Sequence, residues 1–306
     1  MANRPSNIRT DVTLSEFTTI RLGGSAKYFA APKTDDELRE ALQWAKGESL
    51  PVTILGGGSN VIIPDQGIEG LVIHPADGTL TLQDGIIVAG AGVPLGQLIA
   101  FALEHDRGGL SWLIGVPGQV GGSVAGNAGS RHDWIGQYVV SIEAMSPAGK
   151  IERFGPDACA FAYRSSIFHT NGYIIVRVGL QLPTVEPKTE QSLLREMAKK
   201  KQRSQPIGAA CAGCMFRNVS PAEVSEAAKS LADADGVVPV WRLVTEVGLV
   251  GYHLGGMTIS DLHANFMINT GTGTADQAVQ LMSLVKQRVR DTLGIQLHNE
   301  IRLLGF

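Results

Sequence analysis

Cys211 and Cys214 stand three residues apart in "CAGCMFRN", and Cys159 is the only other cysteine among the 306 residues. The spacing admits a metal knuckle, a redox pair, two packed residues, or one working side chain beside a bystander. Zinc needs two further ligands, and none of the seven histidines forms a paired pattern nearby, so no metal is expected. A thioredoxin-like pair sits at the start of a helix in a strand–helix–strand unit, whereas "MFRN" leads to a helix cap only at Ser220. Neither paired reading is supported, and Cys211 reads as a small packed residue.

Glycine is the other chemical signal, with 37 residues that cluster. In "GGGSN", Gly56, Gly57, Gly58, Ser59 and Asn60 form a turn between two strands, where side-chain-free backbone can present N–H groups to an anion. A triple glycine alone is more often a tight structural turn. Joined to Pro117-Gly118, Gly121-Gly122-Ser123 and Asn127-Ala128-Gly129, it makes two cradles, which suits the two ends of a dinucleotide. The competing "VAGAGVPLGQL" resembles a Rossmann fingerprint but fails as one. Pro94 removes an N–H from the turn, the preceding strand reads as half of a hairpin, and no second parallel strand ending in an acidic residue follows.

These loops need a scaffold, and the chain is long enough for two or three domains of about 100–150 residues each. Thr34 to Glu37 is a capping box followed by Leu38, Ala41, Leu42 and Ala45 on one helical face. Asp84-Gly85 divides "TLTLQDGIIVAG" into a hairpin, and Pro94 opens the next helix. The stretch "RGGLSWLIGVPGQVGGSVAGNAGS" is too apolar for a linker and too rich in glycine for an ordinary helix or strand. A hairpin is expected in "YVVSIEAMSPAGKIERF", a strand in "GYIIVRVGLQL", and a polar helix in "PKTEQSLLREMAKKKQRSQP", where Pro206 marks the best domain boundary. Ser220 to Glu223, with Pro221, predicts another helix start. From Thr274, Ala278, Leu281, Met282, Val285, Val289 and Leu293 line one face until Gly294, and "IQLHNEIRLLGF" reads as a strand.

The net charge of −3 lacks the basic stripe of a nucleic-acid binder, and no signal-peptide core or run of about 18 apolar residues is present, so neither nucleic acid nor membrane is an expected partner. Three cysteines in so long a chain make no disulfide framework, which points to the cytoplasm.

The stretches "TTIRLGG", "GGGSN", "GVPGQVGGSVAGNAG", "YRSSIF", "AGCMFRN", "HANFMIN" and "NEIRLLG" occur in the order found in the UDP-N-acetylenolpyruvoylglucosamine reductase (MurB) family, which the chain resembles over nearly its whole length. "YRSSIF" and "AGCMFRN" are the specific parts; the glycine loops alone fit the wider class of flavoenzymes related to vanillyl-alcohol oxidase. The resemblance implies an α+β fold: a two-part FAD-binding region (1–76, and 77–205 with 296–306) and a smaller α+β substrate-binding domain (206–295). It implies FAD held by Gly56, Gly57, Gly58, Ser59, Asn60, Pro117, Gly118, Gly122, Ser123, Asn127 and Gly129. NADPH delivers hydride and then leaves the cleft to the sugar nucleotide, whose enolpyruvyl ether is reduced to the lactyl ether of UDP-N-acetylmuramate for peptidoglycan. The short link from Arg164 to Tyr173 resembles the branch without an inserted tyrosine loop, and a monomer is expected.

That reaction puts hydride on the terminal enolpyruvyl carbon, spreads charge onto the carboxylate and requires a proton at the adjacent carbon. By resemblance Arg164 stabilises the charge, Glu300 sits beside it, and Cys214 donates the proton where many members have serine. A thiol, at about 8.5 in model peptides, is a better acid than an alcohol, although it is open to oxidation. Tyr163, Arg217, Asn218, His263 and Asn265 fall at the family's substrate contacts; Arg217 keeps the charge of a lysine without its geometry, and Val219 replaces a usual proline. A related flavin oxidase would keep the glycine loops without needing Arg164, Cys214 and Glu300, and a nucleotide- or zinc-binding regulatory protein is the alternative outside enzymes.

Overall fold

A computed structural model describes residues 4–130 and 132–306, which divide into two compact units. The first comprises the N-terminal residues up to Val12, Ala26–Gly57 and Glu69–Lys201; the second comprises Thr13–Ser25, Gly58–Ile68 and Gln202–Phe306.

In the first unit, strands Ile8–Thr13, Ser25–Ala30, Ile68–Ile73 and Val52–Ile54 lie side by side in that order. Helix Asp35–Gly47 buries Leu38, Ala41, Leu42 and Ala45, and Thr34 Oγ1 accepts the Glu37 amide, as the box and the periodicity predict. A second sheet runs Leu80–Gln83, Ile86–Gly90, Ile174–Leu180, Val139–Met145, Ile151–Phe154, antiparallel throughout. Its first hairpin turns at Asp84 (φ 49°) and Gly85 (φ 81°), both left-handed as a two-residue type I′ turn requires. Two separate apolar clusters fill this unit.

The glycine-rich stretch holds more regular structure than expected: a short 3-10 turn at Ser111–Leu113 and an α-helix at Val120–Ala125. Close packing is the physical reason. The Gly121 amide donates to Ala91 O at 2.9 Å, and a Cβ there would fall 2.8 Å from Ala91 Cβ, so only glycine lets this helix lie on the 91–93 turn.

The second unit has an antiparallel sheet in the order Cys211–Cys214, Phe266–Asn269, Met257–Ile259, His253–Leu254. Helix Ala275–Leu293 covers it with the six expected apolar residues, capped by the Thr274 box and stopped at Gly294 (φ 67°). The box at Ser220 also forms, but it caps only the 3-10 turn Pro221–Glu223, because Val224 turns extended and packs on the core.

Residues 296–306 also depart from expectation. Leu297 and Ile301 are buried in the core of the second unit, and Arg302–Leu303 pairs in parallel with Val61–Ile62 of the same unit, so the C-terminus does not belong with 77–205. A three-domain division remains a proposal, supported by the two separate clusters of the first unit. Among the described residues, no helix is long and apolar enough to cross a membrane, and no group of three or more His, Cys, Asp or Glu could hold a metal.

Candidate active site

In the first unit, "YRSSIF" forms a tight turn in which Ala162 and Ser165 exchange both backbone hydrogen bonds, at 3.0 and 3.1 Å. Arg164 lies inside that turn at φ 55°, a backbone state that costs little only for glycine. Its guanidinium donates to Gly129 O at 2.7 Å and stands 5.4 Å from the Tyr163 ring centroid, while Tyr163 itself is 55% exposed. An arginine held in a strained turn is suited to meeting a carboxylate with fixed donors.

Gly56 and Gly57 meet the 118–122 segment backbone to backbone within the same unit. A Cβ on Gly57 would lie 2.7 Å from Gly118 Cα, and one on Gly56 would lie 3.5 Å from Gly122 Cα. Among the described residues, the amides of Gly56, Gly57, Gly118 and Gln119 donate to no protein acceptor. Unpaired amides on adjoining side-chain-free loops fit a diphosphate, and hence the pyrophosphate of a flavin dinucleotide. Pro117 and Gly122 are exposed beside them, and Ser123 and Gly129 are half-buried. His74, which nothing in the sequence marks, donates through Nδ1 to Leu55 O (2.9 Å) and Gly56 O (3.1 Å) and so fixes the start of the loop.

Three of the residues expected to meet the cofactor also make contacts within the protein. Gly58 (φ 59°) is buried in the second unit, and a Cβ there would run into Phe17 O, so the position requires glycine. Asn60 donates its side-chain amide to Glu300 O at 3.1 Å, and its own carbonyl accepts Arg302 N. Asn127, in the first unit, is buried, with Oδ1 on Gly136 N (3.1 Å) and Nδ2 on Ala162 O (2.9 Å).

In the second unit the structure brings Cys214 and Glu300 onto neighbouring stretches of chain. Glu300 N donates to Met215 O at 2.9 Å, Phe216 bridges Asn299, and Arg217 N donates to His298 O. Thr19, which lies in "TTIRLGG", donates its hydroxyl to Cys211 O at 2.6 Å and its backbone N–H to Gly58 O at 3.0 Å, tying the glycine turn to the cysteine strand. That strand is irregular. Cys211 pairs with Ile268 and Cys214 with Phe266, three residues against two, with Gly213 at φ 77°. The bulge therefore puts both cysteines on one face, although odd spacing in a regular strand would separate them. Burial pushes the Cys211 thiol up, which disfavours the reactive thiolate and suits a packing role.

The expected substrate contacts divide. Arg217 is exposed. Asn218 Oδ1 accepts Val240 N at 3.2 Å, capping helix Val240–Glu246, whose N-cap Pro239 offers no side-chain acceptor. Burial lowers the pKa of His263, whose Nδ1 accepts the Asn265 amide, leaving Nε2 to carry the proton of a neutral ring. Asn265 is buried, and both ends of its side chain bind the Phe216 backbone, so it shapes "CMFR" from within.

Helix Pro187–Ser204 of the first unit turns Glu190, Leu194, Met197 and Lys201 to one face. Glu190 accepts Gly109 N (3.2 Å), and Lys201 donates to Trp112 O (2.6 Å) and Ile114 O (2.9 Å), so the helix clasps the segment that leads into the 118–122 loop. Burial pushes the Lys201 ammonium down to about 8. A lysine with a depressed folded pKa makes the unfolded chain bind more protons between that value and the ordinary one of 10.5, so stability rises with pH across that window. Parallel urea titrations of the apoprotein and Lys201→Met should show wild type gaining relative to the variant from about pH 8 to about pH 10. A constant difference would contradict a desolvated lysine.

Comparison with known proteins bears on both units. Residues 26–155 match the family profile described as FAD binding domain, and residues 205–304 match that of UDP-N-acetylenolpyruvoylglucosamine reductase, C-terminal domain. The chain is 33% identical over 306 residues to the UDP-N-acetylenolpyruvoylglucosamine reductase of Synechococcus sp. (strain WH7803), covering 98% of this chain and 94% of that protein. It is also 33% identical to the protein of that name from Nostoc punctiforme, covering 100% and 88%. Among solved structures, it resembles the UDP-N-acetylenolpyruvylglucosamine reductase of Thermus caldophilus, with TM-score 0.79 and 29% identity over 97% of this chain and 99% of that one.

Proposed function

The chain belongs to the UDP-N-acetylenolpyruvoylglucosamine reductase family, and on that premise we propose how its residues divide the work of reducing an enolpyruvyl ether. The activity is that of the family: FAD-dependent, NADPH-driven reduction of UDP-N-acetylglucosamine enolpyruvate to UDP-N-acetylmuramate, a peptidoglycan precursor. When bound, FAD supplies the hydride chemistry between NADPH and the terminal enolpyruvyl carbon, and Gly56, Gly57, Gly118 and Gln119 would hold its pyrophosphate through their amides.

Arg164 binds the substrate carboxylate and stabilises the charge that develops there, because its planar fork matches a carboxylate and its charge is constant. Cys214 gives its S–H proton to the carbon next to that carboxylate. Glu300, by the family's pattern, takes the role of a protonated partner of the developing charge. What supports this assignment is the Glu300–Met215 backbone hydrogen bond, which keeps Glu300 in register with the residue after Cys214. Tyr163, Arg217, Asn218 and the Nε2–H of His263 are proposed to meet the rest of the sugar nucleotide, which binds after NADPH has left. We place the chain in the cytoplasm, where so few cysteines in so long a chain are at home, and take a monomer as its working form.

Under anaerobic conditions the FAD-loaded protein should oxidise NADPH beyond the single equivalent that reduces its flavin only when the enolpyruvyl substrate is present, and the product should carry two more hydrogens by mass. NADPH consumption indifferent to that substrate would reject the activity.

A further inference from the structure

We propose that Asn127 is a positioning residue for Arg164: it sets the turn that carries the guanidinium, and its side chain does not hold the cofactor. The proposal rests on the reading of Arg164 as the group that meets the substrate carboxylate. Residues 125, 127 and 129 each make one side chain–backbone hydrogen bond with the "AYRSS" segment of the same unit. Ser166 Oγ donates to Ala125 O at 2.7 Å, Asn127 Nδ2 donates to Ala162 O at 2.9 Å, and Arg164 donates to Gly129 O at 2.7 Å. Asn127 is the member of this set that grips a turn terminus. Ala162 is the residue whose N–H and C=O both bond to Ser165 and so close the loop around Arg164.

The other end of the amide is fixed too, because Asn127 Oδ1 accepts Gly136 N at 3.1 Å. Gly136 has to be glycine for that approach, since a Cβ there would fall 2.8 Å from both Asn127 Oδ1 and the Phe161 ring. Asn127 itself stands at φ 42°, a state that asparagine tolerates better than most residues. It is only 5% exposed, which leaves the side chain no surface for a ligand. Two left-handed residues, Asn127 and Arg164, are thus joined through Ala162 by hydrogen bonds with donors and acceptors matched, and neither backbone state would persist without its neighbours.

A double-mutant cycle tests this. Asn127→Gly keeps the left-handed backbone allowed and removes both side-chain bonds; Asn127→Asp keeps the acceptor for Gly136 N and loses the donor to Ala162 O. Each is compared with Arg164→Met and with the Asn127→Gly/Arg164→Met double variant in anaerobic stopped flow. Flavin content, reduction by NADPH and reoxidation by UDP-N-acetylglucosamine enolpyruvate are read separately. Asn127→Gly should keep its FAD and reduce normally while reoxidising about 10- to 100-fold more slowly, the scale of a catalytic group misplaced by about an ångström. Asn127→Asp should fall in the same half-reaction, and the double variant should be no slower than Arg164→Met alone.

Loss of FAD, equal slowing of both half-reactions, wild-type reoxidation, or multiplied effects in the double variant would each overturn the proposal. Normal reoxidation by Arg164→Met would instead overturn the reading on which it rests. A slow Arg164→Met beside a normal Asn127→Gly would overturn the positioning role alone.

Discussion

Cys214→Ala is expected to slow reoxidation of the reduced enzyme by the enolpyruvyl substrate by about 100-fold or more, while Cys214→Ser keeps much of the rate. Both variants should accept hydride from NADPH at the wild-type rate, because proton donation to carbon enters only the second half-reaction. The contrast follows from geometry and acidity together. Cys214 sits at the end of the Cys211–Cys214 strand beside a bulge at Gly213, and the next residue receives the Glu300 amide, so serine can take its place with little change of backbone. Alanine keeps the backbone and removes the proton. Cys211→Ala belongs in the same experiment: a half-buried thiol whose pKa is pushed up by burial should be nearly silent in both half-reactions. Damage equal to that of Cys214→Ala would restore the pair as the working unit, which the shared face of the two residues makes a fair test.

Arg164 should separate activity from stability. Its φ of 55° is a cost for any residue with a Cβ, and glycine removes that cost while deleting the guanidinium and its bond to Gly129 O. Arg164→Gly and Arg164→Ala are therefore expected to lose about 10²- to 10³-fold in substrate-driven reoxidation, the scale of removing one charge-stabilising donor. Their stabilities should differ, with the alanine variant below the glycine variant by about 1 kcal/mol, as measured by urea unfolding. Arg164→Lys keeps the charge without the fork and should fall between wild type and Arg164→Gly in rate. Equal stabilities for alanine and glycine would mean that the left-handed turn is not a strained one. Unchanged reoxidation would remove Arg164 from the chemistry.

How far these residues could be read from sequence depended on the range of the interactions that fix them. Helix Ala275–Leu293 was legible to its ends, because its box, its apolar face and its terminal glycine are all local signals. The Asp84-Gly85 hairpin was legible for the same reason. The partners of the strands flanking "GGGSN" were not: Val52–Ile54 pairs with Leu71–Ile73 in one unit, and Val61–Ile62 pairs with Arg302–Leu303 in the other. Nothing within "VTILGGGSNVII" encodes that divergence. The helix inside the glycine-rich stretch was hidden because its glycines serve contact with Ala91, and composition alone cannot distinguish a packing glycine from a flexible one.

In the candidate site, Arg164, Cys214 and Glu300 came from motif resemblance, and the structure adds the hydrogen bonds around them. Asn60, Asn127 and Asn265 suit ligand contacts in sequence because their side chains both donate and accept, and the structure adds bonds to backbone that no local pattern signals: Asn60 to Glu300, Asn127 to Ala162 and Asn265 to Phe216. His74 and Lys201 left no trace in the sequence pattern, because holding a loop through its carbonyls requires only a donor at the right place in the fold.

One anaerobic measurement tests the assigned activity most directly. The FAD-loaded protein is bleached with NADPH, the nicotinamide is removed, and UDP-N-acetylglucosamine enolpyruvate is added while the flavin absorbance is followed. Prompt return of the oxidised spectrum is expected, with one lactyl ether formed per flavin; a bleached spectrum that persists after the substrate is added would contradict the assigned activity.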